Sequence, residues 1–209
     1  MGVSFEFRLI SKEIEVIRTQ VELIQITPDA EAHIGEQAAE CYDSKTDRES
    51  CLRRAAHCVD SGHLATLRFA TATFKISGIS RVCSHQLVRV AHAGILQRSQ
   101  RYVKESSVEF VDPIALVDIP NRMWTEWKDI QDSAERLYLA LVNQGLMKKE
   151  DARYILPQGC TTSLRITGNF QMWLDLLGNR RSKHAQWEIR GVADAIWAIL
   201  NQHAPRVFK

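Results

Sequence analysis

The sequence lacks most of the features that would set it apart from an ordinary globular protein. Its 10 glycines and 5 prolines form no linker, repeat or low-complexity tract within the 209 residues. No apolar run approaches the roughly 20 residues of a membrane span, and the opening MGVSFEFRLI has no signal-peptide core. The net charge is only +2, from 27 basic and 25 acidic residues, which does not favour bulk binding of nucleic acid or membranes. We expect a cytoplasmic protein with neither of these partners.

The cysteines form neither a disulfide framework nor a zinc motif. Cys41, Cys51, Cys58, Cys83 and Cys160 are an odd number of thiols with no CxxC pair. Separated cysteines of this kind are typical of reduced, mostly buried side chains. Cys83 lies on an apolar helical face, and no cysteine has the sequence setting of an activated nucleophile. The sequence therefore predicts no metal site and no cysteine-based catalysis.

Helical patterns alternate with a few strands along the chain. Alternating or β-branched runs predict strands at 4–10, 14–27, 70–79 and 161–168. Helical spacing predicts helices at 26–42, 46–63, 79–94, 120–145, 148–159, 169–179 and 185–202. We expect a single α+β domain over 1–209, with a mixed sheet packed against long helices. A doubly wound α/β fold is disfavoured because no Gly-rich phosphate loop follows an early strand.

Hydrogen-bond donors gather where the third predicted helix ends. The segments SHQLVR and QRSQRY supply Gln86, Arg89, Gln97, Ser99, Gln100 and Arg101. A guanidinium group beside the ring of Tyr102 suits a phosphate or a heterocycle. A solvated polar turn after a helix explains so short a segment equally well.

Three further polar features are less specific. Arg153 could bind a phosphate, but a lone arginine is more often an ion-pair partner of a neighbour such as Glu150 or Asp151. His63 follows a helix end and is explained by a structural role. The segment 169–188 carries many amides and charges on apolar-rich helices, where each buried amide needs a partner.

Four segments, in this order and spacing, resemble the flavin-dependent thymidylate synthases: GISRVCSHQLVR, QRSQRYV, DARYILPQG and RSKHAQWEIRG. The similarity extends from about the second predicted helix to the end of the sequence. It implies an α+β flavin-dependent thymidylate synthase-like domain that assembles as a homotetramer with shared active sites. It also implies C5-methylation of a deoxyuridine nucleotide. Methylenetetrahydrofolate would donate the carbon, FAD would carry the electrons and NADPH would supply them.

The resemblance also implies roles for single residues. The expected nucleotide-binding residues are Gln86, Gln97, Ser99, Gln100, Arg101, Arg153 and Arg180. The expected flavin-binding residues are His63, Arg89, Asn169, Asp175 and His184. Arg180 would face the uracil ring and stabilise charge that develops on it. Ser99 would be a positioning donor rather than a nucleophile, and Arg153 would come from a neighbouring subunit.

The sequence departs from the family pattern on the flavin side. Val90 and Ala91 stand where the family signature has His and Arg. Gln171 stands where an arginine is usual. Upstream, Arg68 and Phe69 replace Glu and His. The nucleotide side is nearly complete, so the departures indicate that the flavin contacts have changed while the nucleotide site has been kept.

Several functions are compatible with this pattern. We favour a divergent member that methylates a uridine nucleotide, with UMP preferred over or alongside dUMP. Such a protein would resemble the UMP methylase of polyoxin-type nucleoside-antibiotic biosynthesis. The alternatives are an ordinary dUMP enzyme with altered flavin contacts, a non-catalytic nucleotide-binding homologue, and an unrelated helical interaction protein. Flavin absorption by the purified protein separates the flavoenzymes from the other two.

Overall fold

Five strands form one sheet in the computed structural model, which describes residues 2–5, 19–103 and 107–209. They are β1 (Gly2–Phe5), β2 (Thr19–Ile26), β3 (Thr71–Ser80), β4 (Gly94–Gln97) and β5 (Thr161–Asn169). Their spatial order is β1-β2-β3-β5-β4, and all four described pairings are antiparallel. The α+β class is confirmed, and the sheet that we expected to be mixed is antiparallel at these pairings.

Seven α-helices lie within the described ranges. They are α1 (Ala30–Ala39), α2 (Arg48–Asp60), α3 (Arg81–Leu87), α4 (Asn121–Asn143), α5 (Lys149–Ala152), α6 (Phe170–Arg180) and α7 (Trp187–His203). Short 3-10 helices occur at Glu40–Tyr42, Leu64–Phe69, Ile114–Asp118 and Arg153–Ile155. No helix in the described part of the chain is long and apolar enough to cross a membrane.

The core lies between one face of the sheet and the helices α1, α6 and α7. Burial alternates along β3, where Ala72, Phe74 and Ile76 are fully buried and the residues between them are half-buried. Phe74 packs edge-on against Trp173 of α6 with ring centroids 5.1 Å apart. The Trp173 indole N–H donates to the carbonyl of Ala72 at 3.2 Å, so the large ring is buried without an orphaned donor. This packing fixes the start of α6 against the sheet.

Local signals predicted several boundaries correctly. Helix α2 ends at Asp60, and Gly62 follows it with a φ of 74°, as expected for a residue beyond a helix C-terminus. Asp29 does precede α1, but its side chain makes no capping hydrogen bond. Its carboxylate instead accepts from Arg48 at 2.8 Å. The predicted strands at 4–10 and 14–27 lie partly outside the described residues.

Of two boundaries near the polar segments, one agrees with the prediction and one differs. Strand β3 matches the strand predicted at 70–79 and continues through Gly78, which has a φ of 70° at a bulge opposite β5. The helix predicted to reach Gly94 ends at Leu87. Gly94 instead begins β4, which pairs with β5. The chain between α3 and β4 is therefore a turn that the sequence pattern did not reveal.

Candidate functional site

A cavity of about 760 Å³ lies between this turn and helix α6, and we refer to it as the main cavity. Its polar and charged lining consists of Arg68, Arg89, His92, Asn169, Gln171, Asp175, Asn179 and Arg180. Its apolar lining consists of Val90, Ala91, Met172 and Leu176. Within the described lining, three guanidinium groups accompany a single carboxylate, that of Asp175. This charge balance favours an anionic ligand.

Helix α6 supplies half of the lining residues, and it begins directly at the end of β5. Asn169 ends the strand and caps the helix, since its Oδ1 accepts from the backbone N–H of Met172 at 2.9 Å. Residues four apart share a helical face, which brings Asp175 and Asn179 to the same wall. The Asn179 amide also donates to the carbonyl of Asp175 at 2.9 Å. The cavity wall is thus a continuous face of one well-anchored helix.

The opposite wall is the turn after α3. The backbone N–H of Val90 donates to the carbonyl of Leu87 at 3.2 Å, which tightens the chain as the helix ends. His92 adopts a φ of 63° and redirects the chain into β4. Arg180, at the end of α6, donates from Nη2 to the carbonyl of Gln86 at 3.4 Å. This contact joins the ends of α3 and α6 at the cavity.

Arg68 and Gln171 join a third element to the cavity. Arg68 lies in the 3-10 helix Leu64–Phe69, and its Nε donates to Oε1 of Gln171 at 2.7 Å. Both side chains belong to the lining. Two positions at which the sequence departs from the family pattern are therefore in direct contact.

A buried carboxylate supports the start of α3. Glu188 accepts from the backbone N–H of Ser80 at 2.7 Å and from the Ser80 hydroxyl at 2.6 Å. Burial raises the pKa of Glu188 despite these two hydrogen bonds, which favour its ionised form. Burial, with a further contribution from Glu188, raises the pKa of the Cys83 thiol far above its usual range. Cys83 therefore stays protonated and is no nucleophile at neutral pH.

A second cavity, of about 420 Å³, lies between Arg101 and helix α5. Lys148, Lys149 and Glu150 contribute to its lining. The Arg101 guanidinium forms an ion pair with the Glu150 carboxylate at 3.3 Å, and it lies 5.6 Å from the centroid of the Tyr102 ring. Its charge is therefore already partly compensated within the chain.

Arg153 also contacts Glu150, through the backbone of that residue. Its Nε donates to the main-chain carbonyl of Glu150 at 3.0 Å. Arg101, rather than Arg153, contacts the Glu150 carboxylate. Two arginines that are 52 positions apart thus meet around one residue. The second cavity shares no lining residue with the main cavity.

Comparison with known proteins identifies the family to which this geometry belongs. A family model described as thymidylate synthase complementing protein matches residues 22–206. The flavin-dependent thymidylate synthase of Pyrococcus furiosus is 39% identical over 178 residues, covering 82% of this chain and 70% of the relative. The chain belongs to the flavin-dependent thymidylate synthase family. The enzymes of that name from Corynebacterium efficiens and Geobacter sulfurreducens are 34% and 33% identical and are covered over 90% and 85% of their lengths.

The family residues expected at the flavin separate into two groups. Arg89, Asn169 and Asp175 lie together in the main cavity. His63 and His184 are exposed and do not belong to its lining. The His184 backbone N–H donates to the Ser182 hydroxyl at 3.3 Å, and His63 precedes the 3-10 helix Leu64–Phe69. Their expected roles at the flavin stay predictions.

Most of the family residues expected at the nucleotide lie outside the main cavity in this single chain. The Gln97 amide donates to the Ser84 hydroxyl at 2.9 Å, and the buried Gln100 amide lies 3.5 Å from the sulfur of Cys160. Ser99 Oγ accepts from the backbone N–H of Arg101 at 3.2 Å, a contact that orders the turn and does not activate the hydroxyl. Arg180 is the member of this set that lines the main cavity.

Sequence reasoning did not identify His92 or Asn179 as part of the site. Asn179 could have been found, because it lies one helical turn after Asp175 on the same face of α6. His92 gave no such signal, since its position depends on a turn whose left-handed backbone the sequence did not predict. Arg68 and Gln171 were noted only as departures from the family pattern, without their contact.

Proposed function

We propose that this protein catalyses flavin-dependent C5-methylation of a uridine nucleotide, with methylenetetrahydrofolate as carbon donor and NADPH as reductant. The observation that carries the proposal is the main cavity. It gathers Arg89, Asn169, Asp175 and Arg180 in a chain of the flavin-dependent thymidylate synthase family. Its excess of guanidinium groups and its amides fit an anionic dinucleotide such as FAD, and its apolar wall fits a flat ring system.

The proposed flavin contacts are Arg89, Asn169 and Asp175, with His63 and His184 as outer contacts. When bound, FAD supplies the electrons that convert the transferred one-carbon unit into a methyl group. The protein contributes binding and orientation. The described lining contains no cysteine, and the thiol of Cys83 is buried and protonated. The proposed mechanism therefore does not use a protein thiolate to activate the uracil ring.

Arg180 is the proposed catalytic residue at the nucleotide. Its guanidinium is half-buried and tied to the Gln86 carbonyl, so its position is restrained before a ligand binds. A restrained guanidinium at the cavity can donate to the uracil carbonyls and stabilise negative charge that develops on the ring. Ser99 is proposed to position the nucleotide, as its contact with the Arg101 backbone provides no general base.

The proposed phosphate site uses Arg101 and Arg153 around the second cavity, with Gln86, Gln97 and Gln100 supporting the nucleotide. The two cavities have separate linings in one chain, so we propose that a complete site combines the main cavity of one subunit with the second cavity of another. This supports the proposal of a homotetramer with shared active sites. Measuring the molar mass in solution by light scattering tests it, and a monomer that retains full activity would contradict it.

The proposed substrate preference is for UMP over or alongside dUMP, which would suit a role in nucleoside-antibiotic biosynthesis. It rests on the altered residues Val90, Ala91, Arg68 and Gln171, all of which depart from the family pattern and line the main cavity. The test is steady-state methylation of UMP and dUMP under the same conditions, with reduced FAD and methylenetetrahydrofolate, and mass spectrometry of the methylated products. A strong preference for dUMP would remove the ribonucleotide proposal and leave the methylation itself intact.

A second candidate is a nucleotide-binding homologue without catalysis. It is favoured by the apolar side chains of Val90 and Ala91 at the cavity wall, which supply no donor to a flavin. A colourless protein that binds UMP in calorimetry but takes up no FAD would support this candidate. Release of a methylated nucleotide would exclude it.

A further inference from the structure

Arg68 carries a charge that no acidic side chain in the described ranges neutralises. Its Nε donates to Gln171, and a neutral amide holds the guanidinium in place without cancelling its charge. The surface arginines Arg48, Arg101 and Arg181 behave differently, because each contacts a carboxylate. A fixed and uncompensated cation at a cavity wall is the arrangement expected where an anion binds.

The geometry of the contact between Arg68 and Gln171 also favours a phosphate as the anion. With Nε engaged by Gln171, the two terminal nitrogens of Arg68 form an edge that can donate to two oxygens of one phosphate. Arg89 lines the same cavity and adds a second guanidinium. Gln171 lies in the first turn of α6, where the helix dipole adds positive potential. Two guanidinium groups in one cavity suit a ligand with adjacent phosphates better than one with a single carboxylate.

We propose that Arg68, positioned by Gln171, binds the diphosphate of a dinucleotide cofactor in the main cavity. This inference rests on the proposed function. Glu at position 68 and Arg at position 171, as in the family pattern given above, would cancel in charge. Arg68 with Gln171 leaves one positive charge at the same place. The guanidinium of this pair is therefore carried by the 3-10 helix Leu64–Phe69 instead of α6, and the net charge of the pair is one unit more positive.

The first experiment measures the dissociation constants of FAD and riboflavin for the full chain and for Arg68→Ala. Loss of a charge-assisted phosphate contact should weaken FAD binding about tenfold. Riboflavin has no phosphate, so its affinity should not change. The salt dependence of FAD binding should also become less steep in the variant. Arg122→Ala on α4 removes the same charge outside both cavities and should leave both affinities unchanged.

The second experiment tests the positioning role of Gln171. Gln171→Glu keeps the hydrogen-bond acceptor but neutralises Arg68, so FAD binding should weaken about as much as in Arg68→Ala. Gln171→Ala removes the acceptor and leaves the charge, so the loss should be smaller. An equal FAD affinity for the wild type and Gln171→Glu would overturn the proposal. Thermal unfolding of each variant checks that the fold is retained.

The outcomes separate this inference from the proposed function. A wild-type protein that binds no FAD would overturn both. A wild type that binds FAD, with an Arg68→Ala variant that binds it within about twofold, would overturn only the role of Arg68. If Arg68→Ala weakened the binding of UMP and not that of FAD, the anion would be the nucleotide phosphate, and the assignment to a diphosphate would be wrong.

Discussion

The two cavities of this protein differ in how their cations are balanced. In the main cavity, Arg68 is held by the neutral amide of Gln171. In the second cavity, Arg101 is held by the carboxylate of Glu150. An anion that enters the second cavity must compete with Glu150 for Arg101, whereas an anion at Arg68 displaces no carboxylate. The charge of Arg68 is therefore available to an anion in the main cavity, whereas the charge of Arg101 in the second cavity is already paired with Glu150.

The largest expected effect is at the main cavity. Arg180→Ala should lower kcat by about 100-fold, because removal of one hydrogen-bond donor to developing charge typically has an effect of this size. Nucleotide affinity should change much less, since the contact strengthens as charge develops. The measurement is single-turnover methylation together with equilibrium binding of the nucleotide.

Arg181→Ala is the matched control for Arg180→Ala. Arg181 is the next residue in the chain, but it pairs with Asp194 and lies 4.2 Å from the centroid of the Trp197 ring. Its loss should lower stability and leave kcat nearly unchanged. An Arg180→Ala enzyme with the turnover of the wild type would show that Arg180 does not stabilise charge on the reacting ring.

The next largest effect is expected at the second cavity. Arg101→Ala should weaken binding of the nucleotide about tenfold, because a charged phosphate partner is lost. Arg153→Ala should act in the same direction. The corresponding nucleoside, which has no phosphate, should bind all variants equally in calorimetry. A variant that lost affinity for nucleoside and nucleotide alike would contradict a phosphate site here.

The buried carboxylate of Glu188 at the start of α3 gives a prediction for the pH dependence of stability. Burial raises the pKa of Glu188 above its ordinary value of 4.5, so the folded state holds this proton more tightly than the unfolded state. Its contribution to stability is therefore complete below pH 4.5 and is lost as the pH rises through the folded pKa. The loss cannot exceed about 1.4 kcal/mol per pH unit, the limit for one proton.

Glu188→Gln isolates this contribution. The amide oxygen can still accept from the backbone of Ser80 but does not ionise. Urea unfolding at several pH values should show the wild type losing stability relative to Glu188→Gln as the pH increases. A constant difference between the two proteins would mean that Glu188 is not the titrating group.

The smallest expected effect tests the contrast between the cavities directly. Glu150→Gln removes the carboxylate that competes for Arg101 and should tighten nucleotide binding by about two- to threefold. The effect is small because the ion pair is substantially exposed and screened by solvent. The gain should disappear in the Arg101→Ala background. Weaker nucleotide binding by Glu150→Gln would show that Glu150 organises the site rather than blocking Arg101.

Local patterns predicted the elements that build the site. Helices α4, α6 and α7 and strand β5 follow from apolar periodicity, and Gly62 marks the end of α2. The motifs also predicted the family and the grouping of Arg89 with Asn169 and Asp175. Strand β4 was not predicted, because its four residues form a strand only through pairing with β5, which is distant in sequence.

The sequence alone determined the residue types and the helical faces that carry them, because periodicity and capping are local properties of the chain. Only the tertiary structure decided which distant residues meet. Arg68 and Gln171 are 103 positions apart, and nothing local in either segment predicts their hydrogen bond. The packing of α6 against the sheet brings them together. That packing converts two separate departures from the family pattern into one charged contact at the cavity.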